Sequence, residues 1–250
     1  MPKEKREIHK SVQITLIIVA AIIILSFAGM WFVKTNFSSS NTISVNGQGI
    51  EKVTPDLISI YFNVETKGTT SKEAEDSNSI IVNKLKSFLV ALSFSEEDLK
   101  TENYNIYPDY DYTTRQTKGY RATHMLKISF SSAETGKITS VIDSGTNAGA
   151  GISYINFELS PELEQQYKTL AIQTASEDAR IKAEAVAKGF NKRLDKLVSV
   201  SLDSYNYMPF RVYDAAAGTA SAESAKVAVA GITPSEREVS AFVTAVYRLS

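Results

Sequence analysis

The sequence predicts an α+β domain, a mostly antiparallel sheet covered on one face by helices, preceded by one transmembrane helix. Three observations carry this reading. Val12 to Val33 is an almost unbroken apolar run; several later segments alternate apolar and polar residues with period two; and amphipathic helical segments with clear start signals lie between them.

The apolar run VQITLIIVAAIIILSFAGMWFV has no charge and would extend about 33 Å as a helix, the thickness of a bilayer core. Trp31 near its end suits the membrane interface. Lys3, Lys5, Arg6 and Lys10 precede the run, whereas only Lys34 follows closely, so the positive-inside rule places the N-terminus in the cytoplasm. Ser26-Phe27-Ala28 resembles a signal-peptide cleavage site, but apolar residues continue past it through Trp31-Phe32-Val33, which favours an uncleaved anchor. The expected organisation is a cytoplasmic tail (1–11), a membrane anchor (12–33), a polar linker (34–42) and an extracytoplasmic domain (43–250).

The domain opens with ISVNGQGIEKV, a short strand to Asn46 in which Gly47 and Gly49 permit a bend or bulge. Leu57 to Glu65 is a half-buried strand with Ile58, Ile60, Phe62 and Val64 on its apolar face. Thr70-Ser71-Lys72-Glu73 is a capping box, and behind it Ala74, Ile81, Leu85, Phe88, Leu89 and Leu92 form one helical face. Ser95-Glu96-Glu97-Asp98 starts one further turn. Residues 101–113 and 119–131 alternate and read as a hairpin around DYTTRQTKG.

A second helix, about 132–148, presents Ile138, Val141, Ile142 and Gly145 and ends at Gly149. A strand follows over Ile152–Leu159. Ser160-Pro161-Glu162 then starts a long helix that stops at Gly189. Ala171, Ala175, Ala179, Ala183 and Ala187 recur every fourth residue, a stripe that allows very close packing. Glu164–Lys168, Asp178–Lys182 and Glu184–Lys188 sit at the favourable pair spacing. Leu194, Val198, Val200 and Leu202 line another strand. The Ala/Ser-rich stretch 214–230 reads as a long loop or weak helix, and Glu238–Leu249 is the final strand. The expected total is about seven strands and three helices, packed as a sheet with helices on one face.

The residue inventory excludes several function classes. There is no cysteine, hence no thiol redox chemistry and no Cys-ligated zinc. His9 and His124 are the only histidines. Outside the first 33 residues, 23 basic side chains face 26 acidic ones, a balance that argues against nucleic acid as partner.

The segments ISVNGQG, TPD, EDLKTENYNIYPDYDY, GYRATHMLKISF, GAGISYINFEL, ASEDARIKAEAVAKGF and ITPSEREVSAFVTAVYRL, in this order, strongly resemble the SIMPL domain, also called domain of unknown function 541. The likeness covers nearly all of 43–250. The last segment departs from the usual Pro-Gly-Glu, carrying Pro234-Ser235-Glu236 instead. The resemblance implies a periplasmic or membrane-associated protein linked to oxidative-stress defence, capable of self-association. An animal relative acts as an adaptor for a kinase in inflammatory signalling. The resemblance supplies no catalytic residues.

Residue by residue, the chemistry is sparse. His124, on the apolar face of its strand, reads as a core histidine with one satisfied nitrogen. Glu96-Glu97-Asp98 reads as the acidic first turn of a short helix, and Asp109 with Asp111 supply too few oxygens for a hard cation. No cofactor or metal is expected. NGQGIEK lacks the helix of a nucleotide fingerprint, and Asn36-Phe37-Ser38 is a formal glycosylation sequon. Tyr104, Tyr107, Tyr110, Tyr112 and Tyr120 are concentrated in the hairpin. Tyr104 and Tyr120 read as packing, leaving Tyr107, Tyr110 and Tyr112 as the possible interface. The expected function is a non-enzymatic, membrane-anchored module that forms a homo-oligomer or binds an envelope protein. The alternative is a small-ligand or glycan receptor using the tyrosine-rich hairpin.

Overall fold

A computed structural model describes residues 10–36, 41–113, 115–215 and 221–250, with the side chains of 10–14, 16 and 31–36 left out. The tail expected over 1–11 therefore lies outside the described residues as far as His9. So do linker residues 37–40 with the end of the sequon, Thr114 of the hairpin turn, residues 216–220, and the Trp31 and Lys34 side chains.

The first helix, α1 (Lys10–Asn36), contains the apolar run. Among the described residues no helix is long and apolar enough to cross a membrane.

The domain is α+β and antiparallel, but the eight strands among its described residues form two sheets rather than the single sheet expected. Strands β1 (Thr42–Val53), β6 (Leu194–Tyr207) and β8 (Arg237–Leu249) make a three-stranded sheet in the order β1-β8-β6. Strands β2 (Leu57–Gly68), β3 (Leu99–Asp111), β4 (Gln116–Ser131), β5 (Gly151–Glu158) and β7 (Phe210–Asp214) make a five-stranded sheet in the order β3-β4-β2-β5-β7. Short β7 carries no alternation strong enough to announce itself in sequence. Part of the Ala/Ser-rich stretch beyond it is helical, α5 (Ala222–Val229), started by a reciprocal Ser221–Ser224 cap.

Three helices cover one face of the larger sheet: α2 (Ser71–Ala91), α3 (Ile138–Ala148) and α5. The main core lies between them and the sheet. Ile58, Ile60, Phe62 and Val64 of β2 meet Leu126 and Ile128 of β4, Ile155 and Phe157 of β5, and Leu85 and Leu89 of α2. Helix α2 starts at Thr70, whose side chain accepts from the Glu73 amide, as the capping box requires. Glu73 reaches back one residue further than expected, to the Thr69 amide and hydroxyl. Gly149 ends α3 with φ of 103°, a left-handed cap.

Helix α4 (Pro161–Gly189) packs instead on the smaller sheet, over β1 and β8. Its alanine stripe is fully buried, and the packing is close enough to explain the opening glycines. A Cβ on Gly47 would lie 1.9 Å from the Ala175 carbonyl oxygen, and one on Gly49 2.0 Å from that of Ala171. This corrects the bulge reading: β1 pairs with β8 without a register break from Thr42↔Arg248 to Val53↔Arg237. The glycines make room for a helix and do not bend the strand. Of the three expected pairs on α4, Asp178–Lys182 forms at 2.6 Å. Glu164 instead accepts from the Tyr205 hydroxyl, with Lys168 over that ring, and Glu184 pairs with Arg180.

Candidate functional site

The β2 residues on the side opposite Ile58, Ile60, Phe62 and Val64 are not all exposed. Ser59 and Tyr61 are buried, on the face of the large sheet that carries no helix. Antiparallel register brings Lys127 of β4 opposite Tyr61, while Ser59 lies opposite both Ser129 of β4 and Asn156 of β5. These side chains converge on Glu158 at the end of β5. Its carboxylate accepts from Lys127 Nζ (2.8 Å), Ser59 Oγ (2.8 Å), Tyr61 Oη (3.0 Å) and Asn156 Nδ2 (3.1 Å). Tyr61 stacks on Tyr154 with centroids 4.0 Å apart, and Lys127 and Arg211 lie over the two outer ring faces. Asn156 Oδ1 is buried without a hydrogen-bond partner among the described residues.

The electrostatics of this cluster freeze its protonation. Burial alone would raise the Glu158 pKa, but the bonds from Lys127, Asn156 and Ser59 outweigh it and leave the carboxyl lowered. Burial likewise works against the Lys127 ammonium, and its bonds to Glu158 and Tyr61 prevail, raising it. Burial pushes the Tyr61 hydroxyl up to about 12. Beside the cluster a cleft of about 430 Å³ is lined by Lys100, Glu102, Lys127, Ser129, Glu158 and Glu164, among others. Lys127 and Glu158, its most buried charges, are already committed to each other.

His124 is fixed on both sides. Its Nδ1 lies 3.0 Å from Asn78 Oδ1, which can only accept, so Nδ1 carries the proton. Its Nε2 then accepts from Thr101 Oγ1 at 2.8 Å. Buried Asn78 anchors the group by donating to the Val64 carbonyl. The sequence reading of one satisfied nitrogen thus becomes two. Burial, then Lys86, lowers the histidine pKa. No group of three or more metal-ligating side chains occurs among the described residues.

The hairpin residues Tyr107 and Tyr110 are 44% exposed and Tyr112 is 87% exposed. Tyr107 opposes Arg121 on the helix-free face, whereas Tyr104 opposes His124 on the helix side, where the two rings lie 4.8 Å apart. Tyr110 and Tyr112 meet edge-on at 5.2 Å near the turn.

A stronger surface feature is β6. Its register with β8 puts Leu197, Val200 and Leu202 on the side where α4 lies, but α4 covers β1 and β8 and stops short of them. These three and Val198, the extra residue of a bulge, are 49–58% exposed. Sequence reading found the strand and its apolar residues. It could not show that this strand is an edge, because edge position depends on which strands pair.

The sequence profile of a family described as "Protein of unknown function (DUF541)", SIMPL, matches residues 43–247. The chain is 26% identical over 198 residues to "Uncharacterized protein YggE" of Escherichia coli (strain K12), covering 77% of this chain and 78% of that protein. It is 25% identical over 179 residues to the "26 kDa periplasmic immunogenic protein" of Brucella melitensis biotype 1, covering 68% of this chain and 70% of that protein.

Proposed function

Because this chain belongs to the SIMPL family, whose function is unknown, we propose that it is a membrane-anchored, extracytoplasmic assembly module rather than an enzyme. The periplasmic Brucella relative supports the compartment. The anchor rests on α1, whose described side chains, Thr15 and 17–30, are all exposed. A helix apolar on every side needs lipid around it. The basic residues before it orient the domain outward.

The observation that carries the assembly reading is the uncovered apolar row on β6. Apolar side chains in a continuous exposed row mark contact surfaces. The non-enzymatic reading is supported by the Glu158 cluster, whose members are held away from the neutral titration that general acid–base work requires. A contribution to oxidative-stress defence would be indirect, since the chain has no cysteine.

The test is the size of the full chain, purified in mild detergent and weighed by light scattering with the detergent subtracted. A mass of two chains or more, or stoichiometric co-purification of an envelope protein, is expected. A lone monomer at high concentration, with no partner retained, refutes the reading. The glycan alternative keeps the exposed rings of Tyr107, Tyr110 and Tyr112. Loss of a sugar-induced thermal shift in the triple serine variant would support it, and no shift with any glycan would end it.

A further inference from the structure

The two sheets present four edges, and three of them are closed to pairing. On β1 the Gln48 amide donates to Asp178 of α4 at 2.8 Å, and the Asn46 carbonyl accepts from Lys182 at 3.2 Å. The helix that lies on β1 thus also caps its edge. On β3 two register irregularities, Pro108 and the charges of Lys100, Glu102, Asp109 and Asp111 break any template for a further strand. β7 is only five residues long. β6 has 14 residues, and no charge interrupts it from Leu197 to Leu202.

We infer that β6 is the surface through which two copies of this chain pair, antiparallel, about a twofold axis passing Val200. This rests on the assembly reading above and specifies its partner and its contact. The argument is self-complementarity. A twofold axis forces antiparallel pairing and sets each residue against its mirror position along the strand. Around Val200 the run Val198-Ser199-Val200-Ser201-Leu202 reads nearly the same in both directions. Val200 meets Val200 and Ser199 meets Ser201, with Leu202 reaching toward the bulge at Val198. The β6–β8 register places Val200 and Leu202 on one face and Ser199 and Ser201 on the other, so apolar meets apolar and hydroxyl meets hydroxyl.

The flanks agree. Lys196 and Asp203 bound the run with opposite charges. Antiparallel pairing brings each toward the other's unlike end, whereas parallel pairing would set like beside like. Register breaks at Leu197/Ser199 and Leu202/Ser204 bracket the regular stretch and keep the contact short. A short contact is weak alone and gains from two chains being tethered to one membrane, which raises their effective concentration.

The chain contains no cysteine, so a single introduced one is a clean reporter. Opposed residues in an antiparallel pair lie at Cα separations of about 4.5–5.5 Å, within disulfide reach. Full-length Val200→Cys in native membranes, treated with a mild oxidant, is expected to give a disulfide-linked dimer. Ile181→Cys, equally exposed at 55% on α4, should not. Val200→Lys should weaken the dimer about tenfold through facing like charges and lost apolar contact. Mixing Val200→Lys with Val200→Glu chains should restore pairing as a heterodimer. Val200→Cys cross-linking no better than Ile181→Cys, or failure of the charge-swapped mixture, overturns the β6 contact. If wild type is then still oligomeric the assembly reading survives, and if it is monomeric both fall.

Discussion

Gly47→Ala adds one methyl group to an unbroken strand, and the structure assigns it a large cost. The new Cβ would sit 1.9 Å from the Ala175 carbonyl oxygen and 2.7 Å from the Ala179 amide nitrogen. Even the tightest Cβ contacts stay beyond 3.0 Å, so α4 must retreat by at least about 1 Å. A retreat of that size forfeits roughly a quarter to a half of the dispersion energy beneath Ala171, Ala175, Ala179 and Ala183. Overpacking of this kind costs about 1–3 kcal/mol, which lowers Tm by about 2–12 °C for a domain of this size. The assay is thermal and urea unfolding of the full chain in detergent, followed by circular dichroism. Backbone conformation predicts the opposite sign. Gly47 is not among the positive-φ glycines, which are Gly119, Gly149 and Gly231. An alanine judged by backbone alone would stabilise by about 0.4–1 kcal/mol through the unfolded state. A variant as stable as wild type, or more so, therefore refutes the close-packing account. Ala175→Gly should not rescue it, because the nearest obstacle is a carbonyl oxygen that glycine also carries.

Removing the Glu158 carboxylate with Glu158→Ala should cost about 3–5 kcal/mol, because it strands the Lys127 ammonium and three neutral donors; a double-mutant cycle with Lys127→Met should show strong coupling in urea unfolding. The same pair sets a pH dependence. The folded pKa of Glu158 lies below 4.5, so its contribution is complete above that value and is lost as pH falls through the folded pKa. The folded pKa of Lys127 lies above 10.5, so its contribution is complete below that value and is lost as pH rises through the folded pKa. Urea midpoints should be level between about pH 5 and 10, and Glu158→Gln should flatten the acid limb. Asn78→Leu removes the bonds to the Val64 carbonyl and His124 and should cost about 2–3 kcal/mol in the same assay.

What sequence could reveal tracks the range of the physics involved. Capping and periodicity act over a few residues, so the Thr70 and Ser160 helix starts, the Gly149 stop and the alternation of β2, β4 and β8 were all readable. The alanine stripe announced a close approach, but its counterpart, Gly47 and Gly49, lies more than a hundred residues away in the chain. Either glycine alone is equally consistent with a bulge. The split into two sheets was hidden because β1 and β8 come from opposite ends of the domain. The Glu158 cluster needs β4, β2 and β5 side by side, an order with no local signature. Asn78 sits at a helical core position where periodicity favours an apolar residue, and only the facing His124 and Val64 carbonyl explain it.

The two sheets are held very differently, and this bears on where the molecule is free to act. The five-stranded sheet has three helices on one face and, on the other, a carboxylate binding four donors across three strands. The three-stranded sheet has α4 over β1 and β8, and α4 also holds the Tyr205 end of β6 through Glu164 and Lys168, while Leu197–Leu202 are 49–58% exposed at the hydrophobic positions. Amide exchange reports such differences directly, because local opening is cheapest where few apolar contacts must break. In the dissociated chain the Leu197–Leu202 amides should exchange well before those of β2 and β4. Their edge-facing members should slow when chains associate, whereas β1, already capped by Asp178 and Lys182, should be unchanged. Protection gained on β1 instead of β6 would place the contact on the wrong edge and reverse the reasoning from edge protection to partner.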